Sequence, residues 1–250
     1  MLANGHYLDN VKTTMAEPNP NKFGSSSQGM GDNLFLTPIL RYFPNQLTIQ
    51  LPVEKKRFSI LFNGLAQVEI TNEISIIPDL GPCGEHYTTR KLRNYFGDDA
   101  VLLDNRPLVL YSDIESERWA DEYLKDKPKP AIFVPTCSPF WKDVRNIPPV
   151  LAKQIYDGLI EQGYTPIVCQ SSANFLDIGE HQLNDLDLKK YICLLRRVGL
   201  YFGANTGDEH LMTAVGGRTF VYQPEDHHLF VGSEWNYVHP NSTYYTWRVS

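Results

Sequence analysis

Three groups of residues have types and spacings suited to chemistry on a phosphorylated ligand. The first is Gly29-Met30-Gly31-Asp32. Two glycines let a backbone turn come close to a ligand, and the helix expected next presents N–H groups at its first turn. Asp32 on such a loop brings a carboxylate to an open surface, where it can act as a general base. The plainer reading is a flexible turn with Asp32 as the helix N-cap. The second group is Asn205-Thr206-Gly207-Asp208-Glu209-His210. A Thr-Gly turn that opens a helix beyond a strand can cradle a diphosphate with its N–H groups and a hydroxyl. His210, near the start of that helix, can add a donor; otherwise it is a half-buried helix histidine. The third group runs from Thr136 to Arg145. Lys142 and Arg145 can offset the charge of a leaving phosphate there, or they are an ordinary solvated pair.

Other polar clusters carry less. Asp185-Leu186-Asp187 has the D-x-D form of many metal-using sugar transferases, but it directly precedes an apolar-periodic helix, and capping is the better reading. Glu225, Asp226, His227 and His228 sit in a loop without the i, i+4 spacing of a helical zinc site. No metal site is therefore expected. His86, Arg90, Lys91 and Arg93, with Tyr87 and Tyr95, form a basic cluster that can meet an acceptor, a polyanion included, although helix-surface charge is the commoner explanation.

These groups need a frame. Pro130–Pro135 encloses a short apolar run, the form of a strand buried on both faces. Pro148-Pro149 opens a helix whose Leu151, Ile155 and Leu159 share a face, and Gly163 stops it. Strands follow at 164–170, 199–204 and 218–223. Between them come a helix carrying Leu188, Ile192 and Leu195 and a shorter one ending near Val215. This alternation predicts βαβ units and a parallel sheet. The first half is less regular. After a Gly/Ser-rich loop at 24–31 comes a helix to about Tyr42, kinked or started late by Pro38. Leu47–Leu51, Phe58–Phe62, Val68–Thr71, Ile74–Ile77 and Leu108–Leu110 are strand candidates, and Glu115–Leu124 a helix. Residues 21–28 are mostly polar and make a poor strand. The expected division is a polar extension (1–20), a first Rossmann-like domain (21–124), a linker (125–130), a second Rossmann-like domain (131–235) and an aromatic tail packing back on the body (236–250).

Composition narrows the partners. The 250 residues carry 23 Lys+Arg and 29 Asp+Glu, a net charge of −6, which argues against binding bare nucleic acid by charge alone. With 42% apolar residues the chain can bury a core, yet no apolar run approaches the ~20 residues that span a bilayer. The N-terminus lacks a secretory h-region, and the four cysteines include no C-x-x-C pair. A cytoplasmic protein is expected. Nothing in the sequence fixes an oligomeric state.

Taken in order, the motifs resemble glycosyltransferase family 9, the heptosyltransferase-like group. Gly29-Met30-Gly31-Asp32 followed by Asn33 to Pro38 is similar to that family's Gly-x-Gly-Asp loop and first helix. The segment 135–148 holding Lys142 resembles its lysine-bearing loop, and Gly203–His210 its Gly-Asn-Asp-Thr-Gly-x-x-His signature. Asn205 stands where the family usually has aspartate, and the N-terminal half is short. The resemblance implies a GT-B fold, two Rossmann-like domains with parallel sheets facing across a cleft. It implies an inverting glycosyltransferase without a metal or other cofactor, whose co-substrate is a nucleotide-diphosphate sugar. Asp32 and Lys142 would be catalytic. Gly29, Gly31, Thr136, Arg145, Asn205, Thr206, Gly207 and His210 would hold the donor, and His86, Arg90 and Arg93 the acceptor. The acceptor is a saccharide or another hydroxyl compound, nucleic acid entering only as a modified base. A glycolipid acceptor would place the protein at the inner membrane face. A catalytically degenerate nucleotide-sugar-binding module is the remaining alternative.

Overall fold

The computed structural model describes residues 22–24, 29–43, 45–71, 98–99, 104, 106–139, 142–225 and 239–248, the side chains of 22–24 and 32 excepted. The C-terminal half, around apolar runs such as Ala131–Val134 and Ile167–Cys169, is built on short strands. These are β4 (Pro130–Val134), β5 (Thr165–Gln170), β6 (Gln182–Asn184), β7 (Leu200–Ala204), β8 (Arg218–Pro224) and β9 (Ser242–Trp247). They form one parallel sheet in the order β6-β5-β4-β7-β8-β9. Residues 131–134 and 166–170 are wholly buried, as a sheet covered on both faces requires.

The crossover helices start and stop where their end residues dictate. α5 (Pro149–Glu161) opens on proline, whose missing N–H has no intrahelical partner in any case, and ends before Gly163 at φ 78°. α6 (Leu188–Val198) is capped by the Asp187 carboxylate, which accepts from the Lys189 N–H at 2.9 Å, and stops at left-handed Gly199. α7 (Gly207–Ala214) is capped by Thr206 and buried along nearly its whole length, Glu209 to Ala214.

In the N-terminal half, β1 (Lys22–Gly24), β2 (Thr48–Leu51) and β3 (Gln67–Ile70) make a second, three-stranded parallel sheet. Three expectations are corrected here. The polar stretch 21–28 does hold a strand, since β1 needs only backbone pairing, Phe23 opposite Ile49. Phe58–Phe62 is not a strand but the end of a 3-10 helix, Val53–Phe62. Phe58 and Leu61 are buried three residues apart, the 3-10 repeat, with half-exposed Ser59 and Ile60 between them. Leu108–Leu110 runs extended without joining a sheet. Its Leu108 N–H donates to Thr37 Oγ1 at 2.8 Å and its Val109 N–H to the Ala214 carbonyl at 3.2 Å. The candidates at 74–77 lie outside the described residues.

The helix expected up to Tyr42 is two, α1 (Met30–Leu34) and α2 (Thr37–Tyr42), because Pro38 starts a helix and cannot continue one. Thr37 clasps the break, donating its hydroxyl to the Leu34 carbonyl at 2.7 Å. α3 (Ile114–Leu124) is capped by Asp113, whose carboxyl is held well below the usual range by the Tyr111 hydroxyl and Ser116. It is tied to α6 by Glu117–Arg196 at 2.9 Å and Asp121–Arg197 at 2.7 Å. The expected linker at 125–130 thus separates α3 from β4, although α3 is bound to a helix of the C-terminal sheet. One apolar core runs through both halves, from Leu34, Ile49 and Phe62 to Ile132, Ile192 and Leu211. Among the described residues no helix is long and apolar enough to cross a membrane.

Candidate functional site

Numbered within the C-terminal sheet alone, the strand order reads 3-2-1-4-5-6, the doubly wound arrangement whose order reverses between its first and fourth strands. Here those are β4 and β7. Chain connections leave in opposite directions at this point and open a crevice beyond the carboxyl ends. The loop after β4 carries Thr136, Lys142 and Arg145, and the turn after β7 carries Asn205, Thr206 and Gly207. Two of the three sequence groups therefore border one crevice.

The third group reaches the same place from the other half of the chain. α1 packs on α7 through glycine. A Cβ on Gly207 would lie 3.0 Å from the Gly31 nitrogen, and a Cβ on Gly31 would lie 2.8 Å from His210 Cδ2. Neither position tolerates a side chain without movement of its neighbour. The Asn33 amide holds the glycine turn from behind, donating to the Gly29 carbonyl at 2.7 Å. Asp32 follows Gly31 within α1, and its side chain lies outside those described.

Around this junction the polar groups are organised in detail. The Thr206 hydroxyl donates to Asp208 Oδ2 at 2.9 Å and accepts from the Asp208 N–H at 3.2 Å. That hydroxyl proton is committed within the turn, so what the turn offers an anion is backbone N–H at the α7 N-terminus. Burial pushes the Asp208 carboxyl up, opposed by the Thr206 hydroxyl. Asn205 and Thr206 are buried, and Tyr201 supports the turn from below by donating to the Ala204 carbonyl at 2.7 Å. His210 is buried, its Nδ1 2.9 Å from Nε2 of His239, with Phe35 tilted over its ring at 4.7 Å. Glu209 is fully buried and accepts from the Tyr244 hydroxyl at 2.5 Å. Burial pushes its acid up to about 8, opposed by Tyr244 and by the charge of Arg145.

Lys142 is exposed in the short helix α4 (Lys142–Arg145), whereas Arg145 is half-buried and close enough for its charge to act on both Glu209 and Cys137. Thr136 is buried and donates to Gln170 Oε1 at 3.4 Å. The loop itself is held by two asparagines. Asn146 Oδ1 accepts from the Cys137 N–H at 2.9 Å, and the Asn174 amide donates to the Cys137 carbonyl at 2.8 Å. His86, Arg90 and Arg93 lie outside the described residues, as do Asp226, His227 and His228. Glu225 is paired with Arg248. The D-x-D carboxylates serve local backbone, Asp187 on α6 and Asp185 on the Ser172 N–H.

Sequence reasoning missed Glu209 as a site residue, together with Phe35, His239 and Tyr244. No signal marked Glu209, since Glu209, His210 and Thr213 make one polar helical face that only the packing of α7 shows to be buried. None existed for His239, which reaches α7 only through the pairing of β8 with β9.

No protein-family model and no curated protein matches this sequence. Solved structures do resemble the fold. The glycosyl transferase family 9 structure from Veillonella parvula aligns with TM-score 0.68 over 90% of this chain and 86% of that one, at 8% identity. E. coli ADP-heptose lipopolysaccharide heptosyltransferase II aligns at 0.59 over 90% and 89%, at 10% identity. E. coli heptosyltransferase WaaC with ADP aligns at 0.50 over 92% and 90%, at 13% identity. The chain has the α/β GT-B fold of these transferases, with parallel sheets in both Rossmann-like units.

Proposed function

We propose that this chain is a glycosyltransferase that moves a sugar from a nucleotide-diphosphate donor to an acceptor hydroxyl. The observation that carries this reading is the meeting of Gly29–Gly31 with Thr206–Gly207 beside the β4–β7 switch point. Motifs far apart in sequence converge where a fold of this kind binds ligands. The diphosphate lies at the α7 N-terminus, met by the N–H groups of the Thr206-Gly207 turn and by His210. Lys142 and Arg145, arriving on the β4 loop, offset the charge that builds on the diphosphate as it leaves.

Asp32 takes the proton of the acceptor hydroxyl. The freed oxygen attacks the anomeric carbon from the face opposite the nucleotide, the bond to the diphosphate oxygen breaks, and the configuration inverts. Positioning and charge stabilisation account for most of the rate, and no metal enters the chemical step. Two of the structural neighbours carry ADP-heptose or ADP in their names, which makes adenine nucleotides the first donors to try. The acceptor is a saccharide or another hydroxyl compound, with His86, Arg90 and Arg93 as its candidate contacts.

A panel of nucleotide-diphosphate sugars tests the reading, with thermal stabilisation and mass-spectrometric detection of released diphosphate as readouts. One donor should stabilise the fold and release its nucleotide diphosphate when an acceptor is present. Stabilisation without release across an acceptor panel would make the chain a nucleotide-sugar-binding module. The absence of both responses would overturn the assignment.

A further inference from the structure

Beneath the glycine junction lies a donor set of which the proposed sugar transfer uses only His210. Glu209, His210 and His239 are all buried, and each offers a ligand atom within 4.8 Å of the other two. The closest pair is His210 Nδ1 and His239 Nε2, at 2.9 Å. Of the two Glu209 oxygens, Oε1 accepts from Tyr244, and Oε2 is buried without a hydrogen-bond partner. A buried carboxylate oxygen left in this way is costly unless a cation or a donor meets it.

We propose that Glu209, His210 and His239 form a site for a divalent transition metal of the zinc class. Two imidazole nitrogens and one carboxylate are a donor set that suits zinc and disfavours calcium or magnesium, which prefer all-oxygen shells. Tetrahedral metal–ligand bonds of ~2.0–2.2 Å put two ligands on one ion ~3.3–3.6 Å apart. The cluster therefore has to contract by up to ~1.5 Å at its widest and open by about 0.5 Å between the two imidazoles. Tyr244 already does for Glu209 what outer partners do in metal sites, holding the carboxylate through its other oxygen. Arg145 is the opposing charge in the neighbourhood, and its charge acts on Glu209.

Ligation has a consequence for the junction above. An ion on Nδ1 of His210 forces that ring's proton onto Nε2, the nitrogen 3.6 Å from where a Gly31 Cβ would stand. The ion itself does not reach the donor cradle; it fixes His210 as an N–H donor beside Gly31. The site stands whether or not the sugar-transfer reading holds.

Untagged protein, stripped with chelator and dialysed against zinc, is assayed by elemental analysis, and Co²⁺ is used as a spectroscopic substitute. The expected result is one ion per chain, raised thermal stability on zinc addition, and Co²⁺ bands characteristic of nitrogen and oxygen ligands. His239→Gln and Glu209→Gln should lose the ion. Tyr244→Phe, which keeps the ring, should weaken affinity about 10–100-fold. Wild-type protein that takes up no zinc overturns the proposal, as does equal uptake by wild type and Glu209→Gln. Should His239→Gln fail to fold, the Tyr244→Phe titration and the wild-type Co²⁺ spectrum decide between the two results.

Discussion

The two ends of the six-stranded sheet offer a ligand opposite things. The amino end has the room. A cavity of about 680 Å³ opens there, lined by Lys153, Tyr156, Tyr164, Asp177 and His181 among others. The carboxyl end has a close glycine contact, and three separate polar segments meet there. An open cavity alone would point to the first. Topology chooses the second, because all six strands are parallel and only their carboxyl ends face the switch-point crevice. The amino-end cavity is walled by ordinary α5 and β5–β6 surface, whose Lys153 pairs with Asp157 on the same helix at 2.5 Å. Convergent backbone donors and cations, not volume, carry the proposal for the carboxyl end.

Substitutions at the two ends can break this contrast. Asp32→Asn should have the largest effect, lowering the transfer rate about 10²–10⁴-fold while leaving donor binding nearly intact. Steady-state kinetics beside a donor titration would separate the two. Lys142→Ala should come next, costing about 10²–10³-fold in kcat, since it removes one charge from the leaving diphosphate. Gly31→Ala adds a methyl 2.8 Å from His210 Cδ2 and must displace α1 or the imidazole. A loss of up to ~10²-fold is expected. The smallest effect belongs to the amino end. Lys153→Ala should leave turnover unchanged and cost only ~0.3–0.5 kcal/mol of stability, read by chemical denaturation. A turnover defect in Lys153→Ala would shift attention to the amino-end cavity.

The uneven legibility of the chain has a physical basis. β4, β5, β7 and β8 could be read from the sequence because a strand buried on both faces is an uninterrupted apolar run. α5 and α6 could be read because proline, Asp187, Gly163 and Gly199 mark their ends. The Thr-Pro pair at 37–38 was visible as a motif, while its work as a clasp between α1 and Leu108 depends on a contact 71 residues away. The Val53–Phe62 helix was misread because a 3-10 repeat over few residues resembles a strand of mixed burial. In the site, glycines and charges after strands were legible as local patterns. The imidazole pair was not, because His210 and His239 meet only when β9 docks beside β8.

The most direct test of the central claim is calorimetric titration of nucleoside diphosphates into wild type, Gly207→Val and Lys153→Ala. The account predicts that wild type and Lys153→Ala bind one nucleoside diphosphate alike, and that Gly207→Val, with bulk forced against Gly31 and Met30, loses at least about 10-fold in affinity. Undiminished binding by Gly207→Val, with affinity lost in Lys153→Ala, would contradict it and move the ligand to the amino end of the sheet.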